Sequence, residues 1–203
     1  MTDPHAFELV LHHRYENPQP HDLSGHGSLG YAPAARAEGR DGRPGAAVFD
    51  GAGDRVFVPP TPALTRPGGL RVDVSVRVEE FGHRRTLVEG YLSFAVFVER
   101  DGTLAGSLYR YQEWTGVASR PGLVPLDRWI TVTFVAASDG TMFLIMDGET
   151  VASAYRELGP PAGVEWPFGL SVGAWPDADR RVLKGRVDEL KVWRAFAGPR
   201  GSM

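Results

Sequence analysis

The feature that most constrains the fold of this chain is the strict alternation of apolar and polar residues at positions 70–78. The segment reads Leu-Arg-Val-Asp-Val-Ser-Val-Arg-Val, so every second residue is a leucine or a valine. Side chains along a β-strand point alternately to opposite faces, and a period of two therefore predicts a half-buried strand. Strands of this kind occur in antiparallel sheets that bury one face against a core.

Further strand-like runs follow, and Asp-Gly dipeptides, which favour the tight turns of β-hairpins, separate several of them. These dipeptides begin at Asp101, Asp139 and Asp147. The other predicted strands are residues 92–99, 104–111, 129–136, 141–147, 149–155, 168–174 and 185–194. No helical pattern exceeds two turns, and a parallel α/β fold is excluded because it needs crossover helices. We predict an all-β fold, a two-sheet antiparallel β-sandwich.

The length and composition of the chain agree with one such domain. The chain has 203 residues, with 25 glycines and 16 prolines, as expected when many short strands are joined by tight turns. It contains no cysteine, which excludes disulfides, thiolate metal sites and a cysteine nucleophile. No linker divides it. We expect a single domain over residues 1–203 with its core at about 7–196.

Charge and hydropathy exclude several classes of partner. The formal net charge is −3 and the basic residues are scattered, whereas binding to nucleic acid needs concentrated positive charge. No segment approaches the roughly 20 apolar residues of a membrane span, and the first residues lack the pattern of a signal peptide. We expect a soluble chain without nucleic acid or membrane as partner. It is cytoplasmic, exported by an unusual route, or part of a longer protein.

Four segments, spread over about 170 residues, carry motifs that belong to one known superfamily. The first is Asp-Leu-Ser-Gly-His-Gly at 22–27, and the second joins Ala-Val-Phe-Asp-Gly at 47–51 to Asp-Arg-Val-Phe-Val-Pro at 54–59. The third combines Asp-Arg-Trp-Ile-Thr-Val-Thr-Phe at 127–134 with Leu-Ile-Met-Asp-Gly at 144–148, and the fourth is Gly-Arg-Val-Asp-Glu-Leu-Lys-Val-Trp at 185–193. Together they resemble the concanavalin A-like lectin/glucanase superfamily, in particular its laminin G-like (pentraxin-like) domains.

This resemblance implies a jelly-roll sandwich whose members include lectins, protein-binding modules and glycosidases, so the fold alone leaves the activity open. Glycoside hydrolysis needs two carboxyl groups roughly 5–10 Å apart. The acids closest to such a pair are at 79–80 and 188–189, but adjacent residues of a regular strand face opposite ways. No Gly-x-Ser-x-Gly nucleophile elbow is present either. We therefore assign no catalytic residue.

The resemblance also implies a structural calcium ion, since sandwich modules of this type often hold one where terminal strands meet loops. Asp22, Asp50 and Asp188 are the acids at the matching positions. Ca²⁺ is bound by carboxylate and carbonyl oxygens, which these segments could supply. Each aspartate could equally brace its own loop by accepting backbone hydrogen bonds. Both interpretations of the three aspartates stay open.

A candidate ligand site lies at residues 107–116, where aromatic and planar polar side chains are mixed. Aromatic rings stack on the C–H faces of sugars, and polar groups bond their hydroxyls. Alternation predicts that Tyr109, Tyr111 and Glu113 share one face. The other face then carries Leu108, Arg110, Gln112 and Trp114. Ordinary cross-strand packing is the alternative. The candidate ligand-binding residues are Tyr109, Arg110, Tyr111, Gln112, Glu113, Trp114 and, in a separate loop, Trp175.

The function that the sequence favours is a non-catalytic, lectin-like carbohydrate-binding module. Two alternatives remain: a protein–protein interaction module of the laminin G type, and a glycoside hydrolase whose carboxyl pair has not been recognised. The expected partner is accordingly a carbohydrate or a protein.

Overall fold

The computed structural model describes residues 7–17, 19–31, 35–64, 68–110, 112–156, 169–176 and 181–195. The described residues form two antiparallel β-sheets and two short 3₁₀ helices, Arg40–Gly42 and Pro62–Leu64. This confirms the predicted all-β, two-sheet antiparallel sandwich. Within the same residues, no helix has the length and apolar character needed to cross a membrane.

The larger sheet has eight strands. They are β1 Phe7–Arg14, β2 Arg36–Glu38, β3 Pro44–Asp50, β5 Gly69–Val78, β10 Trp129–Ala136, β11 Thr141–Met146, β12 Glu149–Tyr155 and β14 Lys184–Ala195. Their order is β12-β11-β10-β5-β14-β3-β2, and β1 pairs with β14.

The smaller sheet has six strands. They are β4 Val56–Val58, β6 Arg85–Gly90, β7 Phe94–Val98, β8 Leu104–Arg110, β9 Glu113–Ala118 and β13 Leu170–Val172. Their order is β4-β13-β6-β7-β8-β9, which leaves β9 at one edge.

The turn signals in the sequence are confirmed. Hairpins join β7 to β8, β10 to β11 and β11 to β12 at the three Asp-Gly dipeptides. Asp147 and Gly148 have φ values of 50° and 87°, and positive φ at both central residues is what the favoured two-residue hairpin turn requires. The predicted strands did not include β1, β2, β3, β6 and β9. In β6, a bulge between Thr86 and Val88 interrupts the alternation.

The core lies between the two sheets. The five apolar residues of the alternating run in β5 are each 3% exposed or less, as predicted. They belong to one buried cluster with Phe94, Val96 and Val98 of β7 in the opposite sheet. Gly106 of β8 lies directly under the ring of Phe134 in β10, and a Cβ at this position would overlap that ring. A glycine is therefore needed here for the two sheets to pack closely.

The six-stranded sheet also buries residues on the side that points away from the core, which we call the outer face. Ala95, Phe97 and Ala105 form a second apolar cluster, separate from the main core. Because Phe94 and Val96 point into the core, their neighbours Ala95 and Phe97 must point outward. The outer face is thus a packed surface and holds the residues of the candidate site.

Candidate functional site

The aromatic run at 107–116 forms a hairpin rather than one strand. Strand β8 ends at Arg110, β9 begins at Glu113, and Gln112 between them has φ 67°. Tyr109 pairs with Trp114 across the hairpin, and their ring centroids are 5.2 Å apart. The prediction that these two rings lie on opposite faces was wrong, because the turn reverses the chain and restarts the alternation.

The aromatic pair Tyr109–Trp114 lies on the outer face. Leu108 is 2% exposed and belongs to the core, so Tyr109 and its cross-strand partner point the other way. The side chain of Trp114 is 45% exposed. Gln112 and Glu113 are exposed at the hairpin turn. Of the other predicted ligand residues, Tyr111 and the side chain of Arg110 lie outside the described part of the chain.

A row of paired residues runs across the outer face from the hairpin. Gly116 of β9 pairs with Ser107 of β8, and Ser107 pairs with Ala95 of β7. Ala95 in turn pairs with Glu89 of β6, which pairs with Ser171 of β13. Short side chains therefore separate the aromatic pair from an acidic residue on the same face.

Glu89 is the most unusual residue of the outer face, since its side chain is only 1% exposed. Burial raises the pKa of Glu89 to about 7, although the positive charges of Arg84 and Arg181 act in the opposite direction. Trp175 hydrogen-bonds the Glu89 carboxyl group, which also opposes the rise. The predicted ligand residue Trp175 is thus placed beside Glu89 and not beside the hairpin.

Three buried polar atoms around Glu89 lack hydrogen-bond partners among the described residues. They are Oε2 of Glu89, Oγ of Ser171 and Oγ1 of Thr86. Glu89 and Ser171 are paired on neighbouring strands, and Thr86 pairs with the outward-facing Phe97. Buried polar groups are nearly always hydrogen-bonded, so a cluster of three without partners indicates a position where a polar ligand could supply them.

Two arginines flank this cluster, and each is stacked on an aromatic ring. The guanidinium carbon of Arg84 lies 3.3 Å from the ring centroid of Phe97, and that of Arg181 lies 4.5 Å from the ring centroid of Trp175. Both arginines line a cavity of about 980 Å³, here called the arginine cavity. Its other lining residues are Gly51, Glu80, Gly82, His83, Arg85, Glu99 and Val182.

Sequence reasoning did not single out Glu89, Arg84 or Arg181. A signal was present, because Glu89 is a lone acid next to the apolar pair at 87–88. What the sequence lacked was the position of Arg181, which tertiary folding brings to β6 through a hydrogen bond between the Thr86 N–H and the Arg181 carbonyl.

The three aspartates predicted to bind calcium are each engaged with protein donors. Asp22 accepts hydrogen bonds from the backbone N–H groups of His12, Ser24 and Ser28 and from the Ser24 hydroxyl, at 2.8–3.0 Å. Although burial acts to raise its pKa, these hydrogen bonds together lower it below the usual value. Asp50 accepts backbone N–H groups within its own turn, and Asp188 accepts Arg43 Nη2 at 2.9 Å.

A calcium ion bound by these aspartates stays a prediction. Among the described residues, no three His, Cys, Asp or Glu side chains are grouped so that they could hold a metal ion. If Ca²⁺ nevertheless stabilises the folded domain, removal of calcium with EGTA must lower the melting temperature, and added Ca²⁺ must restore it. Identical melting curves with Ca²⁺ and with EGTA would show that the folded domain is not stabilised by calcium.

The acids Asp188 and Glu189 do not face opposite ways, contrary to the sequence prediction. A bulge between Val187 and Glu189 interrupts the pairing of β14 with β5, and both Val187 and Leu190 are buried in the core. The two residues between them therefore both lie off the core side. The charges of the two acids interact, which helps to raise the pKa of Asp188, although burial is the largest cause.

Glu189 nevertheless uses its carboxylate for contacts with basic side chains of β1 and β14. Glu189 Oε1 lies 2.8 Å from His12 Nε2 and 3.3 Å from Arg14 Nε, both on β1, and Glu189 Oε2 lies 2.9 Å from Lys191 Nζ. Although burial opposes this, the hydrogen bonds lower the pKa of Glu189 to about 2. A carboxylate with three basic partners joins β1 to β14, and we assign it to stability rather than to chemistry.

No known family model matches the chain, and no curated protein matches its sequence. Solved structures do share its fold. The binding domain of Paraclostridial Mosquitocidal Protein 1 superposes with a TM-score of 0.76 at 14% identity, over 93% of this chain and 49% of that one. Domain 4 of AbnA, a GH43 extracellular arabinanase from Geobacillus stearothermophilus, in complex with arabinotriose, superposes with a TM-score of 0.69 at 19% identity, over 93% of both chains.

The receptor binding domain of botulinum neurotoxin D superposes with a TM-score of 0.70 at 12% identity, over 92% of this chain and 49% of that one. The chain thus spans about half the length of the mosquitocidal and neurotoxin domains and nearly the whole of the arabinanase domain. At these identities the comparisons establish a common β-sandwich fold. A shared fold does not by itself transfer a ligand, which has to be argued from the site.

Proposed function

We propose that this chain is a non-catalytic, lectin-like carbohydrate-binding domain of the concanavalin A-like, laminin G-like kind, and that the outer face of its six-stranded sheet binds an oligosaccharide. The observation that carries the proposal is the aromatic pair Tyr109–Trp114. Two packed rings, one of them 45% exposed, lie on the same face as a cluster of buried polar atoms without partners. Stacking rings beside hydrogen-bonding groups are what sugar recognition requires.

The hairpin that carries the aromatic pair also carries polar groups for hydroxyls. Gln112 is exposed in the turn itself, beside the aromatic pair. Its amide offers both donors and acceptors, which matches the mixed character of sugar hydroxyls. Glu113 is also exposed, but it pairs with Arg110 and precedes Trp114 in β9, so alternation directs it to the other face. Strand β9 is the edge of its sheet, which leaves the hairpin open to a ligand from the side.

The carboxyl groups of the outer face are the residues on which the hydrolase alternative depends. A glycosidase needs two carboxyl groups roughly 5–10 Å apart. Glu89 is paired with Ala95, and Glu99 follows four residues later along the same neighbouring strand. At about 3.3 Å per residue, the backbone positions of these two acids are about 13 Å apart along the strand direction. Both acids act on the charge of Arg84, so their side chains reach toward the same guanidinium group. The hydrolase alternative is therefore decided by experiment: turnover of a chromogenic glycoside that Glu89→Gln abolishes would establish it, and no turnover by the parent favours binding.

The structural comparisons are consistent with this proposal and guide the choice of ligands. One similar domain has been solved with arabinotriose, and the others are described as binding or receptor-binding domains. Arabinan oligosaccharides should therefore be included when glycans are tested. The receptor-binding domains also make a protein partner an alternative. The Trp114→Ala experiment distinguishes a carbohydrate ligand from a protein partner.

The expected result is that Trp114→Ala weakens glycan binding about tenfold, because about 1.4 kcal/mol of ring stacking is lost. A glycan array identifies the ligand, and titration calorimetry then gives Kd for the parent and the variant. Trp193→Ala is the matched control. Trp193 is also half-buried and lies under Arg71, but on the eight-stranded sheet, so its removal should leave Kd unchanged.

Thermal melts must show that both tryptophan variants are folded before affinities are compared. Equal Kd values for the parent and Trp114→Ala would remove the aromatic pair from the binding site. A silent array, together with a protein partner captured by the parent but not by Trp114→Ala, would instead favour the protein-binding alternative.

A further inference from the structure

We infer that the arginine cavity, at the Arg84 end of the outer face, binds an anionic group of an acidic saccharide. The inference rests on the proposed function, since it specifies which oligosaccharides the outer face recognises. It depends on three observations. The guanidinium N–H groups of Arg84 and Arg181 have no partner among the described residues, nearby acids balance their positive charge only in part, and both arginines lie at a distance from the aromatic pair.

The guanidinium groups of Arg84 and Arg181 are held in place by aromatic rings but are not used in hydrogen bonds or ion pairs with described residues. Each is stacked on a ring, and within the described part of the chain neither has a hydrogen-bond or ion-pair partner; Nε of Arg84 is buried without one. Arg85, by contrast, lies 2.9 Å from Glu80 and donates to the carbonyl of Val182. Stacking on a ring orients a guanidinium and leaves its N–H edge available for a ligand.

The charge of these two arginines is only partly balanced by the acids around them. Glu80 is occupied by Arg85, which leaves Glu99 and Glu89 near Arg84. Burial favours the neutral form of Glu89, so it compensates the arginines incompletely near neutral pH. Among the described residues, the cavity thus holds two arginines without an ion-pair partner and one carboxylate, Glu99, without a basic partner. Such an excess of positive charge attracts an anion.

The chemistry of the guanidinium group limits the kinds of anion that the cavity can bind. Guanidinium groups bind planar or tetrahedral oxyanions through paired N–H···O bonds, and such charge-assisted bonds are stronger than neutral ones. On a saccharide the oxyanion is either the carboxylate of a uronic acid or a sulfate ester. Both sources present the same charged oxygens, and the experiment distinguishes them.

The distance to the aromatic pair requires an oligosaccharide. The N–H of Tyr109 donates to the carbonyl of Ser93, next to the start of β7, whereas Phe97, under Arg84, is four residues farther along that strand. This corresponds to about 13 Å along the strand direction at about 3.3 Å per residue. A ligand that stacks on Trp114 and reaches Arg84 must therefore span several sugar units.

The test compares three trisaccharides of matched length by calorimetry at pH 6: trigalacturonate, a sulfated galactotriose and neutral galactotriose. The parent is expected to bind at least one acidic trisaccharide at least tenfold more tightly than the neutral one. The double variant Arg84→Gln/Arg181→Gln should lose this difference and keep its affinity for the neutral sugar. Arg71→Gln, which removes an arginine stacked on Trp193 of the other sheet, is the matched control and should behave like the parent.

Protonation of Glu89 supplies a second readout. When Glu89 ionises it competes with the ligand for Arg84 and Arg181, so the affinity for the acidic trisaccharide should fall about fivefold or more from pH 6 to pH 8. Besides Arg84 and Arg181, the titratable groups that line the cavity are Glu80, His83, Arg85 and Glu99. Glu89 is not part of this lining and acts on the two arginines through its charge. Glu89→Gln should abolish the fall; if the fall persists in this variant, Glu89 is not its source.

The outcomes separate this inference from the proposed function. The parent could bind acidic and neutral trisaccharides equally well, with Trp114→Ala weakening the binding of both. That result would overturn anion binding by the arginine cavity and leave the carbohydrate site on the aromatic pair intact. If the double variant is too unstable to purify, the single variant Arg181→Gln and inorganic sulfate as a probe of thermal stability replace it. Sulfate stabilisation that Arg181→Gln abolishes, without binding of any saccharide, would support the cavity and overturn the proposed function.

Discussion

Replacing Glu89 with glutamine is expected to stabilise the domain by about 3 kcal/mol above pH 7 and to change its stability little at pH 3.5. In the folded domain burial raises the pKa of Glu89 from 4.5 to about 7. Between these values the unfolded chain has released its proton while the folded chain retains it, so the stability of the parent falls as pH rises through this window. Each pKa unit corresponds to about 1.4 kcal/mol.

Glutamine has nearly the shape of protonated glutamate and no charge, so the variant avoids this loss. Urea unfolding of parent and variant at several pH values between 3.5 and 9 gives the difference directly. Glu113→Gln is the control, because Glu113 is exposed and its replacement should change stability little. If the difference between the parent and Glu89→Gln does not vary with pH, Glu89 titrates normally and is not buried as described.

Replacing Asp22 with alanine is expected to destabilise the domain by about 3 kcal/mol at pH 7. Its carboxylate accepts four hydrogen bonds, three of them from backbone N–H groups. The N–H of His12 joins the loop at 22–28 to β1, and those of Ser24 and Ser28 fix the loop itself. Hydrogen bonds to charged groups each contribute about 1.5–3 kcal/mol, but the donors freed in the variant regain water in part, so the total is smaller than the sum.

The same variant has a defined pH signature. The hydrogen bonds hold the pKa of Asp22 below its usual value of 3.8, so its contribution is fully present above pH 3.8 and is lost as pH falls through the lower, folded value. The parent and Asp22→Ala should therefore converge in stability in strong acid. Asp50→Ala, which removes an exposed turn aspartate with two backbone donors, should cost less. A cost equal to that of Asp50→Ala would show that the loop at 22–28 does not depend on its aspartate.

Features whose cause is local were predictable from the sequence. The alternation in β5 predicted both the strand and its buried side, because neighbouring side chains of any regular strand face opposite ways. The Asp-Gly dipeptides predicted three hairpins, because the positive φ of their turns favours glycine whatever the surrounding fold. Strands β10 and β12 have the predicted bounds, 129–136 and 149–155.

Predictions failed where one extra residue or one turn changes the alternation. The bulges in β6 and β14 and the turn after Arg110 each shift which side chains share a face. Such irregularities leave little mark on a sequence, since a bulge needs only one additional residue. For this reason Tyr109 and Trp114 were assigned to opposite faces, and Asp188 and Glu189 were taken to be separated.

The sequence by itself thus determined the class of fold, several of its turns and the segment that carries the exposed Trp114. The tertiary structure alone decided which residues meet on the outer face. Arg84 and Glu89 come from one part of the chain, and Trp175 and Arg181 come from another. Their proximity results from the pairing of β6 with β13 and from the return of the chain at Arg181. Burial and the nearness of charges set the pKa of Glu89 and leave two arginines without an ion-pair partner in the described part of the chain. Both depend on distances in space that no local pattern of residues records.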